Sequence, residues 1–237
     1  MELLRGDRPV VRVGHRGAAA LAPENSLEAI EAGAANGADV VELDVVRGAG
    51  GALVLAHGPH VPAGAAGLED ALSLVASTGI AVQLDVKTDG LAADAVAALA
   101  RHGLLGRSFV SSYSLPILRG FAAAAPELPR SLTYPEDRHG VSDNPFLRPA
   151  VRPGLALLRA LLPIRLPPLL RAAGARAATL NYAVVSRRIV ELCHGAGIAV
   201  YAWTVNEATL AATLVETGLD GIISDDPRLL RPGTHFT

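Results

Sequence analysis

Short apolar runs of strand length recur along this chain, separated by alanine- and leucine-rich stretches with helical spacing. Strands are expected over residues 10–13, 40–45, 52–56, 80–86, 109–111, 130–133, 177–180, 198–203 and 221–224. Helices are expected over 26–36, 68–77, 92–102, 115–124, 187–195 and 207–217. Ser26, Ser186 and Asn206 stand where helix N-caps belong. Gly37, Gly103, Gly197 and Gly218 stand where helices close. Strand and helix alternating over this length predict a parallel α/β fold. With about eight repeats and no dinucleotide fingerprint, a TIM-type (β/α)8 barrel is expected in preference to an open sheet.

Nine strand candidates are one too many for that barrel. Residues 46–52 are too few for a parallel crossover, so 40–45 and 52–56 are expected to form an extra antiparallel hairpin near the C-terminal face. A turn symmetric about Ala49 and Gly50 places His57 across from Glu42, about 5 Å away. Residues 135–174 break the rhythm with seven prolines and a run rich in leucine and arginine from Leu155 to Leu170. They are expected to be an irregular loop with a short capping helix, or else a lid or lipid-facing surface. Residues 1–237 are otherwise expected to be one barrel domain.

Composition narrows the function classes. Half of the 237 residues are hydrophobic (50%) and 19% are charged, as in a globular chain with a sizeable core. A net charge of -2 gives no support for a nucleic-acid partner. The one cysteine, Cys193, allows no internal disulfide and is expected to be packing. Residues 1–9 are polar and hold no apolar signal core, and no uncharged run is long enough for stable membrane insertion. A cytoplasmic protein is expected. Arginine outnumbers lysine so heavily that Lys87 is the only lysine.

Candidate chemistry gathers in one stretch. His15, Arg16, Glu24, Asn25, Glu42, Asp44 and His57 lie within forty-five residues that read as strand, loop, helix and strand. Glu42 and Asp44 are two apart on one strand and share a face. Two such carboxylates repel and are costly to bury unpaired, which a divalent cation, an arginine partner or a solvent-facing edge would relieve. Asp85 and Lys87 repeat the spacing on another strand, as a second charged face or a structural ion pair. His15 and Arg16 follow a strand end, where barrel chemistry collects. Histidines move protons near neutral pH, carboxylates hold hard cations, and arginine grips phosphate. Together they point to metal-assisted phosphoester chemistry. Asn25 or Ser26 could cap the first helix, while Glu24 could bind metal or orient His15. His60, His102, His139, His194 and His235 are expected to have no role.

These motifs resemble the glycerophosphodiester phosphodiesterase family. The resemblance rests on His15-Arg16-Gly17, Pro23-Glu24-Asn25-Ser26, the run from Gly37 through Glu42-Leu43-Asp44-Val45, and the strand ending in His57. A second block, Trp203-Thr204-Val205-Asn206 and Gly218 through Ser224-Asp225-Asp226-Pro227, extends it to the C-terminal region. The resemblance implies a TIM-type barrel that hydrolyses glycerophosphodiesters to glycerol 3-phosphate and an alcohol. It implies one divalent cation, Ca2+ or Mg2+, on Glu42, Asp44 and Asp85. His15 and His57 match the acid and base, and Arg16 and Lys87 match positions facing the phosphate; Trp203 could form an apolar wall for the glycerol. The implied route has a glycerol hydroxyl attack phosphorus, giving a cyclic phosphate that water opens.

Three departures from the family pattern stand out. Asp85 occupies a position that is usually Glu. Gly58 follows His57 where the family usually has Asp, removing a partner for the histidine. The segment from His57 to the next helix is short, where the family usually inserts a substrate-covering piece. A more open site favours bulkier substrates, so lysophospholipase D-like hydrolysis, with transient lipid-surface contact, is one alternative. A barrel that binds phosphoglycerol groups without turnover is another.

Overall fold

The computed structural model describes residues 1–58, 60–135 and 148–230. The chain alternates strands and helices: β1 (Val11–Gly14), α1 (Leu27–Ala35), β2 (Val40–Arg47), β3 (Leu53–Leu55), α2 (Leu68–Thr78), β4 (Ala81–Val86) and α3 (Ala92–Arg101). There follow β5 (Ser108–Ser112), α4 (Leu115–Ala124), β6 (Arg130–Tyr134), α5 (Arg148–Ala173), β7 (Ala177–Asn181), α6 (Arg187–Gly195), β8 (Ala199–Trp203), α7 (Ala208–Val215) and β9 (Gly221–Ser224). Eight strands run parallel in the order β1-β9-β8-β7-β6-β5-β4-β2, and β1 pairs with β2 to close the barrel. The ninth, β3, pairs antiparallel with the C-terminal half of β2.

Strand ends lie within about two residues of the sequence expectation, because each buried run is bounded by turn residues. Both sides of most strands are buried, as expected of a parallel sheet under helices. Val13, Val40, Phe109, Ala177, Ala199, Tyr201 and Ile223 form one apolar cluster with Leu3 of the N-terminal segment. The Phe109 and Tyr201 rings lie 5.7 Å apart, and the Tyr201 hydroxyl donates to the Leu3 carbonyl. Above that floor the strands turn polar: Glu42, Asp44, Gln83, Asp85, Ser111, Ser131 and Thr179 are all buried.

Two expectations are corrected. The β2–β3 register pairs Val45 with Leu55 and Val46 with Val54, one residue away from the symmetric turn. Gly48 donates its N–H to the Ala52 carbonyl, so three residues, not two, sit inside the turn. Gly50 takes φ 77° there, a left-handed conformation that glycine adopts without a side-chain clash. A one-residue slip flips side-chain faces, so His57 does not stand opposite Glu42. Ala56 instead donates its N–H to the Asp44 carbonyl.

The second correction concerns residues 135–174. Positions 148–173 are not loop but one 26-residue helix, α5. Leu162, Leu166 and Leu170 recur every fourth residue and are buried, as is Ala173. Each buried leucine contributes about 2 kcal/mol. That apolar stripe overrides the interior prolines, of which Pro163, Pro167 and Pro168 lie off the buried face.

Candidate active site

Strand β1 ends in Gly14 and delivers His15, Arg16 and Gly17 into a tight loop. Arg16 and Asn25 both take left-handed backbone, φ 51° and 55°. Such strain costs about 1–3 kcal/mol per residue and persists only where neighbours enforce it. Here β2 does so. The Arg16 N–H donates to Glu42 Oε2 at 2.8 Å and the Gly17 N–H to the Glu42 carbonyl at 2.9 Å. Asn25 grips Asp44 twice: its Nδ2 donates to Oδ2 and its Oδ1 accepts the Asp44 N–H, both at 3.0 Å. The helix cap is therefore Ser26, whose hydroxyl accepts the Ala29 N–H. Glu24 pairs with Arg16, whereas His15 bonds elsewhere.

Register brings the carboxylates together. Asp44 lies beside Asp85 across β2–β4, and Asp85 beside Ser111 across β4–β5. Glu42, Asp44 and Asp85 are 3%, 1% and 7% exposed. One oxygen from each lies within 4.8 Å of the others, a spacing that could hold a metal ion. Ser111 donates to Asp85 Oδ1 at 2.7 Å and is itself held by Gln83 at 2.8 Å. The shorter Asp85 therefore still reaches the group.

Two cations face three carboxylates. Lys87, just past β4, contacts Asp44 at 2.9 Å and also Asp85. Arg16 Nε stands 3.3 Å from Asp44. Burial opposes charge on Asp44, but Lys87, the His57 hydrogen bond and Arg16 hold its carboxyl well below the usual range. Burial likewise opposes charge on Lys87, and Asp85, Asp44 and Glu42 outweigh it and raise its pKa. Glu42 is left short of positive charge: burial and the neighbouring Asp44 push it up to about 7. Three hard oxygen donors, buried and under-neutralised, match the chemistry of a Ca2+ or Mg2+ site.

A histidine stands on each side of this group. His57 follows β3, and its Nδ1 lies 3.0 Å from Asp44 Oδ2, so Asp44 serves it where Gly58 cannot. The Nδ1 of His15 lies 2.6 Å from Asp225 Oδ1. Asn206 donates to the other Asp225 oxygen and accepts the Asp225 N–H at 3.0 Å. Burial works against a charged His15, but the Asp225 hydrogen bond and the charge of Glu42 win and raise its pKa. Burial opposes charge on Asp225 too, and the His15 contact overrides it and lowers that carboxyl.

Sequence reasoning gave Asp225 no role and read Asn206 as a helix cap; α7 is instead preceded by Glu207 with no side-chain cap, and the Asn206 side chain is spent on Asp225 and Ser224. Only barrel closure, which sets Ser224 of β9 beside Gly14 of β1, brings Asp225 to His15. Trp203 ends β8, half-buried, with its indole N–H on the Thr179 carbonyl at 3.1 Å. A groove of about 470 Å³ opens beside His57, between the 24–28 turn and residues 55–66. His60 lines this groove. Among the other histidines, His102 pairs with Glu69 and His194 with Asp220, far along the chain from the site. His139 and His235 lie outside the described residues. Cys193 is buried in α6, where burial pushes its thiol up to about 12. No helix among the described residues is long and apolar enough to cross a membrane.

The family model for the glycerophosphoryl diester phosphodiesterase family matches residues 15–70 and 68–229. No curated protein sequence matches the chain. A Silicibacter pomeroyi structure, provisionally assigned the same activity, aligns with TM-score 0.78 and 24% identity over 97% of this chain and 94% of its own. An Oleispira antarctica phosphodiesterase, solved with the product sn-glycerol-3-phosphate, aligns with TM-score 0.71 and 20% identity over 94% and 95%. A glycerophosphodiester phosphodiesterase of Agrobacterium tumefaciens aligns with TM-score 0.68 and 21% identity over 93% and 98%. At these identities the structures establish the shared barrel.

Proposed function

Because the chain belongs to the glycerophosphoryl diester phosphodiesterase family, we propose that it hydrolyses glycerophosphodiesters to glycerol 3-phosphate and an alcohol. The whole chain serves as one catalytic barrel, with the extra strand β3, bonded to β2, carrying His57 to the site. The observation that carries this reading is the buried group Glu42, Asp44 and Asp85 with His15 and His57 beside it. The product seen in the Oleispira antarctica relative fits the same chemistry.

Glu42, Asp44 and Asp85 would hold one divalent cation, Ca2+ or Mg2+, which when bound polarises the phosphoryl oxygens. Arg16 and Lys87 add fixed positive charge where negative charge develops on the phosphoryl oxygens. Asp225 accepts from Nδ1–H of His15, which leaves Nε2 of His15 to move a proton. Asp44 sets His57 in the same way. The two histidines exchange acid and base roles between formation of a cyclic phosphate by the substrate's glycerol hydroxyl and its opening by water. Trp203 forms an apolar wall for the glycerol.

The short 58–67 segment and the groove beside His57 favour a second reading, lysophospholipase D-like hydrolysis, since a bulky acyl group meets no covering insertion there. Release of glycerol 3-phosphate from glycerophosphocholine and glycerophosphoethanolamine, beside choline release from a lysophosphatidylcholine, separates the two. The first reading expects the small diesters to be preferred and both His15→Ala and His57→Ala to lose turnover. Preference for the lysolipid overturns it in favour of the second. Binding of the diesters without turnover points to a barrel that only binds phosphoglycerol groups.

A further inference from the structure

Helix α5 is far longer than its neighbours. The other helices run from 8 to 11 residues, while α5 has 26. At 1.5 Å per residue it spans about 39 Å, against about 17 Å for a five-residue strand. Its C-terminal end, Ala173, lies just before Ala177, where β7 starts. The helix therefore runs antiparallel to the strands, and its N-terminal end points toward the C-terminal face that carries the carboxylates.

Packing is confined to the later turns. Leu162, Leu166, Leu170 and Ala173 are buried, and Leu158 packs partly against the same cluster. From Gly154 to Leu161 no described side chain is buried. On the outward face Leu157 is 63% exposed and Ile164 is 76% exposed. At 100° per residue these two lie on one stripe, with Leu161 and Pro168 between and beyond them.

Charge on this helix has one sign. It carries Arg148, Arg152, Arg159, Arg165 and Arg171 and no carboxylate, in a chain whose net charge is -2. Arg159, Arg165 and Arg171 are exposed and make no ion pair among the described residues. At 100° per residue Arg165 and Arg171 stand on either side of the stripe, whereas Arg159 lies on the side of the buried Leu166 and Leu170. An apolar stripe with arginine on both sides is complementary to an anionic lipid surface, into which leucine and isoleucine insert while guanidinium groups meet phosphate. A second copy of this chain fits poorly, because a twofold contact would set arginine against arginine.

We propose that the outward face of α5 is a docking surface for anionic phospholipid membranes, built on Leu157, Ile164, Arg165 and Arg171 and reaching the rim of the catalytic face at Leu157. The contact is peripheral and electrostatic in its approach, so it weakens with salt.

The test is co-sedimentation of the full chain with vesicles of phosphatidylcholine alone or with added phosphatidylglycerol, a readout independent of turnover. The wild type is expected to sediment with the anionic vesicles only, and less as salt rises. Arg165→Glu and Arg171→Glu are each expected to weaken binding at least about fivefold. Leu157→Glu combined with Ile164→Glu is expected to abolish it, with an unchanged melting midpoint because both side chains already face solvent. Equal binding to both vesicle types, no binding to either, or binding indifferent to salt would overturn the proposal; the salt titration needs no variant. A lipid-free dimer that Ile164→Glu dissociates would overturn it in favour of a second copy.

Discussion

Strand β9 carries a histidine–aspartate pair at each of its ends. At its start, Asp220 is fully buried and accepts three hydrogen bonds, from the N–H of Arg5 at 2.9 Å, the N–H of Val200 at 2.7 Å and Nε2 of His194 at 2.8 Å. Beyond its end, Asp225 is half-buried and accepts from His15 and from Asn206. The lower aspartate is saturated mostly by backbone, so it ties the N-terminal segment and α6 to the barrel floor. The upper one holds a histidine whose second nitrogen is left for the charged pocket. The same pair of residue types thus fastens the fold at one end and, in the proposed reaction, orients a proton carrier at the other. What decides between them is the company of the pair, three carboxylates above and backbone amides below.

Four substitutions would break or sharpen this contrast. The largest effect is expected for His15→Ala, which should lower turnover about 10³-fold, within the range for removing a general acid or base. Its melting midpoint should stay close to wild type, and equal losses of stability and turnover would erase the contrast. Asp220→Ala comes next, with a stability loss of about 3 kcal/mol in chemical denaturation, because two buried N–H donors lose their acceptor. Turnover per folded molecule should be unchanged.

Asp225→Asn should cost about 10–100-fold in turnover, as for other partners that orient an acting group. Its stability effect is expected to depend on pH. His15 is raised above its ordinary 6.5 in the folded protein, so its contribution is fully present below that value and is lost as pH rises through the raised one. Asp225 is lowered below its ordinary 3.8, so its contribution is present above that value and is lost as pH falls through the lowered one. The gap between wild type and Asp225→Asn, measured in chelator, should be widest near pH 5–6 and shrink toward both pH 9 and pH 3. The smallest effect is expected for His194→Ala, about 1 kcal/mol of stability with no change in turnover, since Asp220 keeps both backbone donors.

Much of this was readable in the chain because its local signals agree. Every strand of the barrel coincides with an apolar run, and Ser26 both reads and acts as a helix cap. Two carboxylates on alternate positions of β2 announced a shared face, and they do share it. The failures have separate physical causes. The hairpin register turns on one residue in a glycine-rich turn, a difference that composition does not encode. Helix α5 was hidden by prolines, whose local cost is outweighed by a leucine stripe that has meaning only against the barrel wall. The His15–Asp225 contact joins residues 210 apart in sequence, and it exists only because β9 closes against β1.

Chelation and add-back is the most direct test of the account, since its centre is that Glu42, Asp44 and Asp85 form a cation site serving two histidines. Protein stripped with EDTA should release no glycerol 3-phosphate from glycerophosphocholine, and Ca2+ or Mg2+ should restore release in wild type but not in Asp44→Asn. Full turnover after stripping, or restoration in Asp44→Asn equal to that in wild type, would contradict it.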